Sequence, residues 1–184
     1  MEKRECLYVG ADDSNHAGDT KGEIIVATFS FDRNDSLVRN FPNTRDLKAV
    51  AEWLKLPERD YLFSLLTSDS YRHSGQILIE VIPYLVDFYL DKNSVQVGNL
   101  NVYLDGRLDG GARDHIKKHF MEKHGIENVV VDNFIKKTKN TKGRIEKHPH
   151  CPTLVYNADV IANSLYRQNT AEQLFTHGKF IPLK

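Results

Sequence analysis

Apolar residues in this chain occur in short runs of strand length and in longer stretches with helical spacing. The short runs predict strands and the longer stretches predict helices, because strands average about five or six residues and helices need about ten or more. The predicted strands span residues 5–11, 23–30, 36–41, 61–67, 100–105 and 128–131. The predicted helices span about 45–56, 71–91, 112–124 and 152–167. This order predicts a mixed α/β sheet covered by helices.

Turn-forming and helix-ending residues refine these boundaries. The polar, turn-rich residues 13–22 should form a hairpin loop between the first two strands. Asn43 and Thr44 offer an N-cap for the first helix, and Pro57 should end it. Pro83 should kink or break the second helix, because it lacks a backbone N–H and clashes with the preceding turn.

Length and composition limit the possible protein classes. The 184 residues predict one domain, and 25 basic against 25 acidic side chains give no net charge, so no general attraction to nucleic acid or membrane follows. Cys6 and Cys151 are the only cysteines, which excludes a disulfide framework and favours a reducing cytoplasm. The N-terminus lacks a signal-peptide pattern, and no run of 18 apolar residues predicts a membrane span.

Four acidic residues lie within or at the end of apolar segments. They are Asp12 and Asp13 after residues 6–11, Asp105 after residues 100–104, and Asp159 within residues 154–162. An isolated carboxylate in apolar surroundings is costly unless a partner neutralises its charge. Carboxylates brought together need a cation, and ligands that are all oxygen suit Mg²⁺ or Mn²⁺. For any one of the four, a solvated loop or helix cap is an equally good explanation.

The predicted sheet offers a way to bring three of these acids together. If strand 5–11 and strand 100–105 are neighbours, Asp12 and Asp105 end side by side, where ligands commonly bind in α/β folds. The helix that contains Asp159 could pack over the same end. Such a cluster suits two-metal phosphoryl chemistry, in which one ion activates water and the other stabilises the leaving oxygen.

Three segments resemble the ribonuclease H-like superfamily. Residues 8–15, Tyr-Val-Gly-Ala-Asp-Asp-Ser-Asn, resemble the first hairpin of members that begin Tyr-Ile-Asp-Glu-Ser-Gly and, more distantly, of type 2 ribonucleases H. Residues 102–106 resemble the strand that carries the second acid of the superfamily. Residues 157–167 are similar to the Ala-Asp-Leu-Ile-Ala closing helix of a poorly characterised family within it. The resemblance implies a ribonuclease H-like mixed sheet with helices on both faces, in a single domain over residues 1–184.

The resemblance also implies a set of catalytic residues. Asp12 matches the first-strand aspartate, Asp13 the glutamate after it, Asp105 the fourth-strand acid and Asp159 the acid of the last helix. Asp12, Asp105 and Asp159 would then be the metal ligands, assisted by Asp13. Asp13 is one methylene shorter than the glutamate of the family, and His16 with Asn15 replaces its glycine-containing turn.

A basic segment is predicted as a loop over about residues 136–150. Its basic residues, opposed only by Glu146, are Lys136, Lys137, Lys139, Lys142, Arg144 and Lys147. Clustered cations on a loop can contact phosphates, so Lys137, Lys139 and Lys142 are predicted substrate-binding residues. A solvated loop without further function is the alternative.

Other residues near the acids could contact a substrate or a metal. Arg107 could add positive potential beside Asp105, and His16 could donate a proton or contact phosphate. His115 and His119 have the spacing of a zinc pair, but no third ligand is evident, so zinc is disfavoured.

The sequence therefore favours a divalent-metal-dependent phosphodiester hydrolase that acts on DNA or RNA with Mg²⁺ or Mn²⁺. One alternative is a non-catalytic nucleic-acid-binding or protein-binding module on the same fold, because a fold alone does not decide function. A second is a metal-dependent phosphatase or nucleotide hydrolase, which would use the same acids on a small substrate.

Overall fold

A five-stranded mixed sheet with helices on both faces forms the centre of the protein. The computed structural model describes residues 5–14, 22–35, 41–66, 74–94, 96–105, 110–134, 137–139, 141–147 and 152–183. The strands are β1 Glu5–Asp13, β2 Glu23–Ser30, β3 Tyr61–Leu66, β4 Val97–Asp105, β5 Asn128–Phe134, β6 Lys137–Lys139 and β7 Ile145–Lys147. The helices are α1 Leu47–Lys55, α2 Ser74–Asn93, α3 Gly110–His124, α4 Thr153–Gln168 and α5 Ala171–Phe175.

The strand order in the large sheet is β3-β2-β1-β4-β5. β1 pairs antiparallel with β2, and β2 pairs antiparallel with β3 across the connection that contains α1. β4 pairs parallel to β1, and β5 parallel to β4, with α3 as the crossover between them. The predicted mixed α/β sheet with helices on both faces is confirmed, and so is the predicted adjacency of β1 and β4.

Two hydrophobic cores lie on opposite faces of this sheet. Successive side chains of a strand point to opposite faces, so each core takes alternate residues. Leu7, Val9 and Ala11 of β1 pack with α2 and α3 in the first core. The second core joins β2 and β3 to α1 and α4, with Ala158 and Ile161 of α4 at its centre.

A half-buried ion cluster ties α2 to α3 behind the first core. The Asp87 carboxylate of α2 accepts hydrogen bonds from Lys123 Nζ at 2.5 Å and His124 Nε2 at 2.7 Å, and lies 2.9 Å from His119 Nε2. Burial raises the pKa of Asp87, but the hydrogen bonds from Lys123, His124 and His119 lower it by more, so its pKa lies below the ordinary value. The cluster therefore stabilises the charged carboxylate and the α2–α3 contact.

Replacing Asp87 with Asn should destabilise the protein by about 2 kcal/mol at pH 7, because it leaves partly buried cations without a counter-charge. The pKa of Asp87 is lower in the folded protein than in the unfolded protein, where it is about 3.9, so the charged carboxylate stabilises the folded protein above that pH. This stabilisation is lost as the pH falls through the pKa of Asp87 in the folded protein. The difference between wild type and Asp87→Asn should therefore shrink below about pH 4. Urea unfolding at several pH values measures it, with the exposed Asp91→Asn as the control. A difference that does not change with pH would contradict the role of the charge.

The N-cap predicted for α1 was wrong, and α2 is not broken at Pro83. α1 begins after Asp46, whose side chain accepts a hydrogen bond from the Ala49 N–H at 3.0 Å, while Asn43 instead caps a turn by accepting from the Arg45 N–H. α2 continues through Pro83 as one helix. Residues close to the proline on both sides, among them Ile82 and Leu85, are fully buried in the first core, and this burial outweighs the missing hydrogen bond.

The predicted basic loop is in part a two-stranded ribbon, which also corrects the prediction. β6 and β7 pair antiparallel, with Lys137 opposite Lys147, Thr138 opposite Glu146 and Lys139 opposite Ile145. Gly143 in the turn has a φ of 72°, a left-handed conformation that glycine adopts without steric cost. The predicted strand 36–41 lies outside the described residues except for Phe41, which is in no strand.

The outer side of β3 is covered by residues 179–183. The Phe63 N–H donates to the Lys179 carbonyl at 3.1 Å, and the Ile181 N–H donates to the Phe63 carbonyl at 2.8 Å. Lys179 Nζ also donates to the carbonyls of Pro57 and Arg59 at 3.1 and 2.8 Å. In the part of the chain that the structure describes, no helix has the length and apolar character to cross a membrane.

Candidate metal centre

Asp12 and Asp105 lie side by side at the same end of the sheet, which we call the acid end. Ala11 is the register partner of Leu104 in the parallel β1–β4 pair, so the next residues of the two strands are Asp12 and Asp105. Strand alternation places both on the face that α4 covers, because Ala11 and Leu104 face the first core. Asp12 is 2% exposed and Asp105 is partly exposed.

Helix α4 is held against β1 at an unusually short distance. A Cβ on Gly10 would lie 2.3 Å from the Leu154 carbonyl carbon, so only glycine allows this approach. The buried Thr28 hydroxyl of β2 lies 3.0 Å from both the Gly10 and the Leu154 carbonyl oxygens. We call Gly10, Thr28 and Leu154 the docking joint. It fixes the first turn of α4 over the middle of β1.

From the docking joint, α4 runs toward the acid end. Ala158, one turn after Leu154, packs in the second core with Val26, the register partner of Asp12. Asp159 follows Ala158, and one turn before it Val155 packs on Tyr103, which precedes Asp105 by two residues. Asp159 is half-buried on this part of α4.

The carboxylates of Asp12, Asp105 and Asp159 do not form a complete metal site in the structure. Among the described residues, no three His, Cys, Asp or Glu side chains are grouped closely enough to hold a metal ion. Asp12 Oδ1 accepts a hydrogen bond from the Asp13 N–H at 2.9 Å, and Asp159 Oδ1 accepts one from Asn163 Nδ2 at 3.0 Å. The donor atoms of these side chains are all oxygen, the ligand type that suits Mg²⁺ or Mn²⁺.

The structure describes only some of the other predicted site residues. Asp13 lies on the opposite face of β1 from Asp12, so the structure does not bring it together with Asp105. His16 and Arg107 lie outside the described residues. Lys137 and Lys139 belong to β6, and Lys142 is exposed in the turn after it.

Sequence reasoning missed several residues around the acid end. Asn163 was detectable, because a residue four positions after Asp159 lies on the same face of a helix. On the face of Asp105, the Tyr8 and Tyr103 rings stack with centroids 6.5 Å apart, and the Arg33 guanidinium lies 5.7 Å from the Tyr103 ring. Burial raises the pKa of Tyr103, so this phenol stays neutral at pH 7. The contact between Tyr8 and Tyr103 depends on the pairing of distant strands, which no local pattern reveals.

The histidine pair His115 and His119 does not form a zinc site. His119 contacts Asp87 in the ion cluster between α2 and α3, and His115 is exposed on α3. His148, His150 and Cys151 lie outside the described residues.

Comparisons with known proteins found similarity to solved structures alone. No protein-family model and no curated protein sequence matches the chain. Among solved structures, ribonuclease H2 from Pyrococcus horikoshii is 12% identical over 92% of this chain and 74% of its own, with a TM-score of 0.49. Ribonuclease HII from Archaeoglobus fulgidus, in its complex with PCNA, is 14% identical over 91% and 76%, with a TM-score of 0.45. At these values neither similarity assigns a role to any residue.

Proposed function

We propose that this protein is a divalent-metal-dependent phosphodiester hydrolase that acts on nucleic acid. The observation that carries the proposal is the placement of Asp12 and Asp105 side by side on adjacent parallel strands, under the helix that contains Asp159. Three carboxylates brought to one point would repel one another, and a divalent cation between them would relieve this repulsion. The sequence resemblance to ribonuclease H-like proteins, closest to the Asp-Glu-Ser-Gly family, points to the same chemistry.

Asp12, Asp105 and Asp159 would hold Mg²⁺ or Mn²⁺, and Asp13 would add negative charge beside Asp12. A bound divalent ion supplies Lewis-acid stabilisation of phosphate oxygens and lowers the pKa of water. The protein supplies position: β1 and β4 fix two carboxylates on a rigid sheet, and the docking joint fixes α4 above them. Asn163 limits the rotation of Asp159 through its 3.0 Å hydrogen bond. Lys137, Lys139 and Lys142, with Arg107 and His16, would contact phosphates of the substrate.

A cleavage assay tests the proposal. Purified protein should cut at least one of single-stranded DNA, duplex DNA, single-stranded RNA or an RNA–DNA hybrid when Mg²⁺ or Mn²⁺ is present, and none in EDTA. Cleavage that persists in EDTA would contradict a metal-dependent mechanism.

A second candidate, a non-catalytic nucleic-acid-binding module, is favoured by one observation. The described carboxylates form no group of three metal ligands, as a protein without catalysis would also show. Calorimetry with Mn²⁺ separates the candidates, because the hydrolase requires metal binding that Asp105→Asn weakens. Nucleic-acid binding with no metal binding and no cleavage on any substrate would establish the module instead.

A further inference from the structure

The parallel strands β4 and β5 leave one face of the sheet accessible to solvent. Leu100, Val102 and Leu104 of β4 point into the first core, so the alternate residues point to the other face, which α4 covers in part. On that face Val130 of β5 is 40% exposed and belongs to neither large core. Parallel strands are usually covered on both faces and are then apolar throughout. An exposed face on this strand pair is therefore a candidate binding surface.

Three asparagines lie on this face. Asn99 and Asn101 belong to β4, and their register partners on β5 are Asn128 and Val130. We call Asn99, Asn101 and Asn128 the amide face; each of the three is at least partly exposed. Asparagine is depleted in strands, where valine and threonine are favoured, so this choice of residues lowers the stability of the sheet. Residues that oppose the local structure in this way are typical of functional surfaces.

The amide face keeps hydrogen-bonding groups for a ligand. Asn128 Nδ2 donates to Asn99 Oδ1 at 3.0 Å, and Asn101 Nδ2 donates to Cys6 Sγ at 2.9 Å. A carboxamide has two donor hydrogens and an acceptor oxygen with two lone pairs, so these bonds use only part of its capacity. A donor and an acceptor on one side chain match the edge of a nucleobase, as when asparagine pairs with N6 and N7 of adenine.

An aromatic ring borders the amide face. Tyr8 of β1 is the register partner of Asn101 and is partly exposed. Its ring stacks with that of Tyr103, which is only 5% exposed, at a centroid distance of 6.5 Å. The exposed Arg33 lies with its guanidinium 5.7 Å from the Tyr103 ring. Tyr103 therefore supports Tyr8, and Tyr8 is the ring that a base can reach. Stacking of bases on aromatic rings contributes much of the affinity for single strands.

The amide face is continuous with the acid end. Asn99, Asn101, Tyr103 and Asp105 are the alternate residues of β4 on this face. Six residues of a strand extend about 20 Å, which is the length of the track from Asn99 to Asp105. A linear ligand bound along β4 would thus pass from the amide face to the acid end.

From these features we infer that the amide face binds a single-stranded nucleic acid, with its bases toward the sheet, and leads it to the acid end. The inference rests on the proposed function for the class of substrate and narrows that class to single strands. In a single strand, base edges and ring faces are accessible to side chains, whereas in a duplex they are paired and stacked.

The charges around the amide face determine which side of the strand contacts the protein. Asp132 of β5 is the register partner of Tyr103, so a carboxylate lies on this face and repels phosphates. Carboxylates accept hydrogen bonds from the amino groups of bases, as Asp does from N4 of cytosine. The bases therefore face the sheet and the phosphates face solvent, where Arg33 contacts them.

Binding measurements in EDTA test the inference without any need for cleavage. Fluorescence anisotropy would compare labelled single-stranded DNA and single-stranded RNA with the blunt-ended duplex of the same sequence. The better of the two single strands, which identifies the sugar, should bind at least about tenfold more tightly than the duplex. The double variant Asn101→Thr with Asn128→Thr should weaken single-strand binding at least about tenfold. Its stability in urea should be equal or higher, because threonine is the better strand former. The matched control is Asn93→Thr, an exposed asparagine of α2, and it should bind like wild type.

Two further changes separate stacking from charge. Tyr8→Phe keeps the ring and should bind like wild type, whereas Tyr8→Ala should weaken binding about tenfold. Neither change nor the double asparagine variant removes a cation, so the salt dependence of binding should stay the same. Arg33→Ala should instead lower the salt slope by about 0.7, the value for one phosphate of a single strand.

The inference is overturned if the double asparagine variant binds like its control, if the duplex binds as tightly as the single strands, or if Tyr8→Ala binds like Tyr8→Phe. A dimer in sedimentation experiments that the double variant abolishes would also overturn it, because a second copy of the protein would then cover this face. Single-strand binding through the amide face without cleavage would contradict only the proposed hydrolase. Cleavage of single strands with unchanged binding in the double variant would contradict only the role of the amide face.

Discussion

Replacing Asp12 with Asn should lower metal-dependent cleavage at least about 1,000-fold, because catalytic metal ligands contribute several kcal/mol to the transition state. The protein should remain folded, because asparagine has the same shape and keeps the oxygen that accepts the Asp13 N–H at 2.9 Å. Its thermal stability without metal should be equal or higher, since one charge of a repelling group is gone. DNA binding in EDTA should be retained or improved.

The matched control for this variant is Asp114→Asn. Asp114 is exposed on α3, which packs on the face of the sheet opposite to α4. Rates would be measured at saturating substrate and metal, together with Mn²⁺ affinity by calorimetry. Asp105→Asn and Asp159→Asn should behave like Asp12→Asn. Full activity in Asp12→Asn would show that a different site, or a contaminant, performs the cleavage.

Replacing Gly10 with Ala should produce the largest loss of stability, about 2–3 kcal/mol. The new Cβ would lie 2.3 Å from the Leu154 carbonyl carbon and 2.5 Å from its oxygen and Cβ. None of these atoms is the end of a flexible side chain, so α4 must shift away from β1 by about 1 Å to reach ordinary contact distance. The same shift would move Asp159 from Asp12 and Asp105, and a displacement of about 1 Å can cost about 100-fold in rate.

Gly110→Ala is the matched control, because a Cβ there meets nothing within 4 Å. It should leave stability unchanged or raise it slightly, since alanine is the better helix former. Thr28→Val tests the other half of the docking joint: it keeps the volume but removes the hydroxyl that lies between two carbonyl oxygens. Urea unfolding measures all three variants. A Gly10→Ala protein as stable as wild type would show that α4 adjusts without strain.

Local patterns were sufficient to predict most of the fold. The apolar runs that end in Asp12 and Asp105 predicted β1 and β4, and parallel pairing then brought the two acids together. The hydrophobic pattern did not predict β6 and β7. Both strands are rich in lysine, which is depleted in strands, so residues 136–150 were predicted as a loop. The sequence did not predict that α2 continues through Pro83, because this depends on burial against strands that are distant in sequence.

The residues proposed for the candidate site could be chosen from the sequence, but their geometry could not. The interruption of an apolar helix by Asp159 singled out that residue without any structure. Asp12 and Asp13 could share one site only if the strand ended before Asp13. The strand β1 extends through Asp13, so strand alternation places the two side chains on opposite faces of the sheet. The docking joint combines a residue from each of β1, β2 and α4, so no sequence spacing reveals it.

The pairing of residues 179–183 with β3 affects whether another strand can be added at this margin of the sheet. On that side the Phe63 N–H and carbonyl already have partners, and Lys179 is anchored to the carbonyls of Pro57 and Arg59. In the described sheet β5 is the strand at the other margin, and β4 is its pairing partner. A strand from another molecule that added beside β3 would therefore first have to displace residues 179–183. The segment after α5 thus protects this margin of the sheet from pairing with copies of the protein.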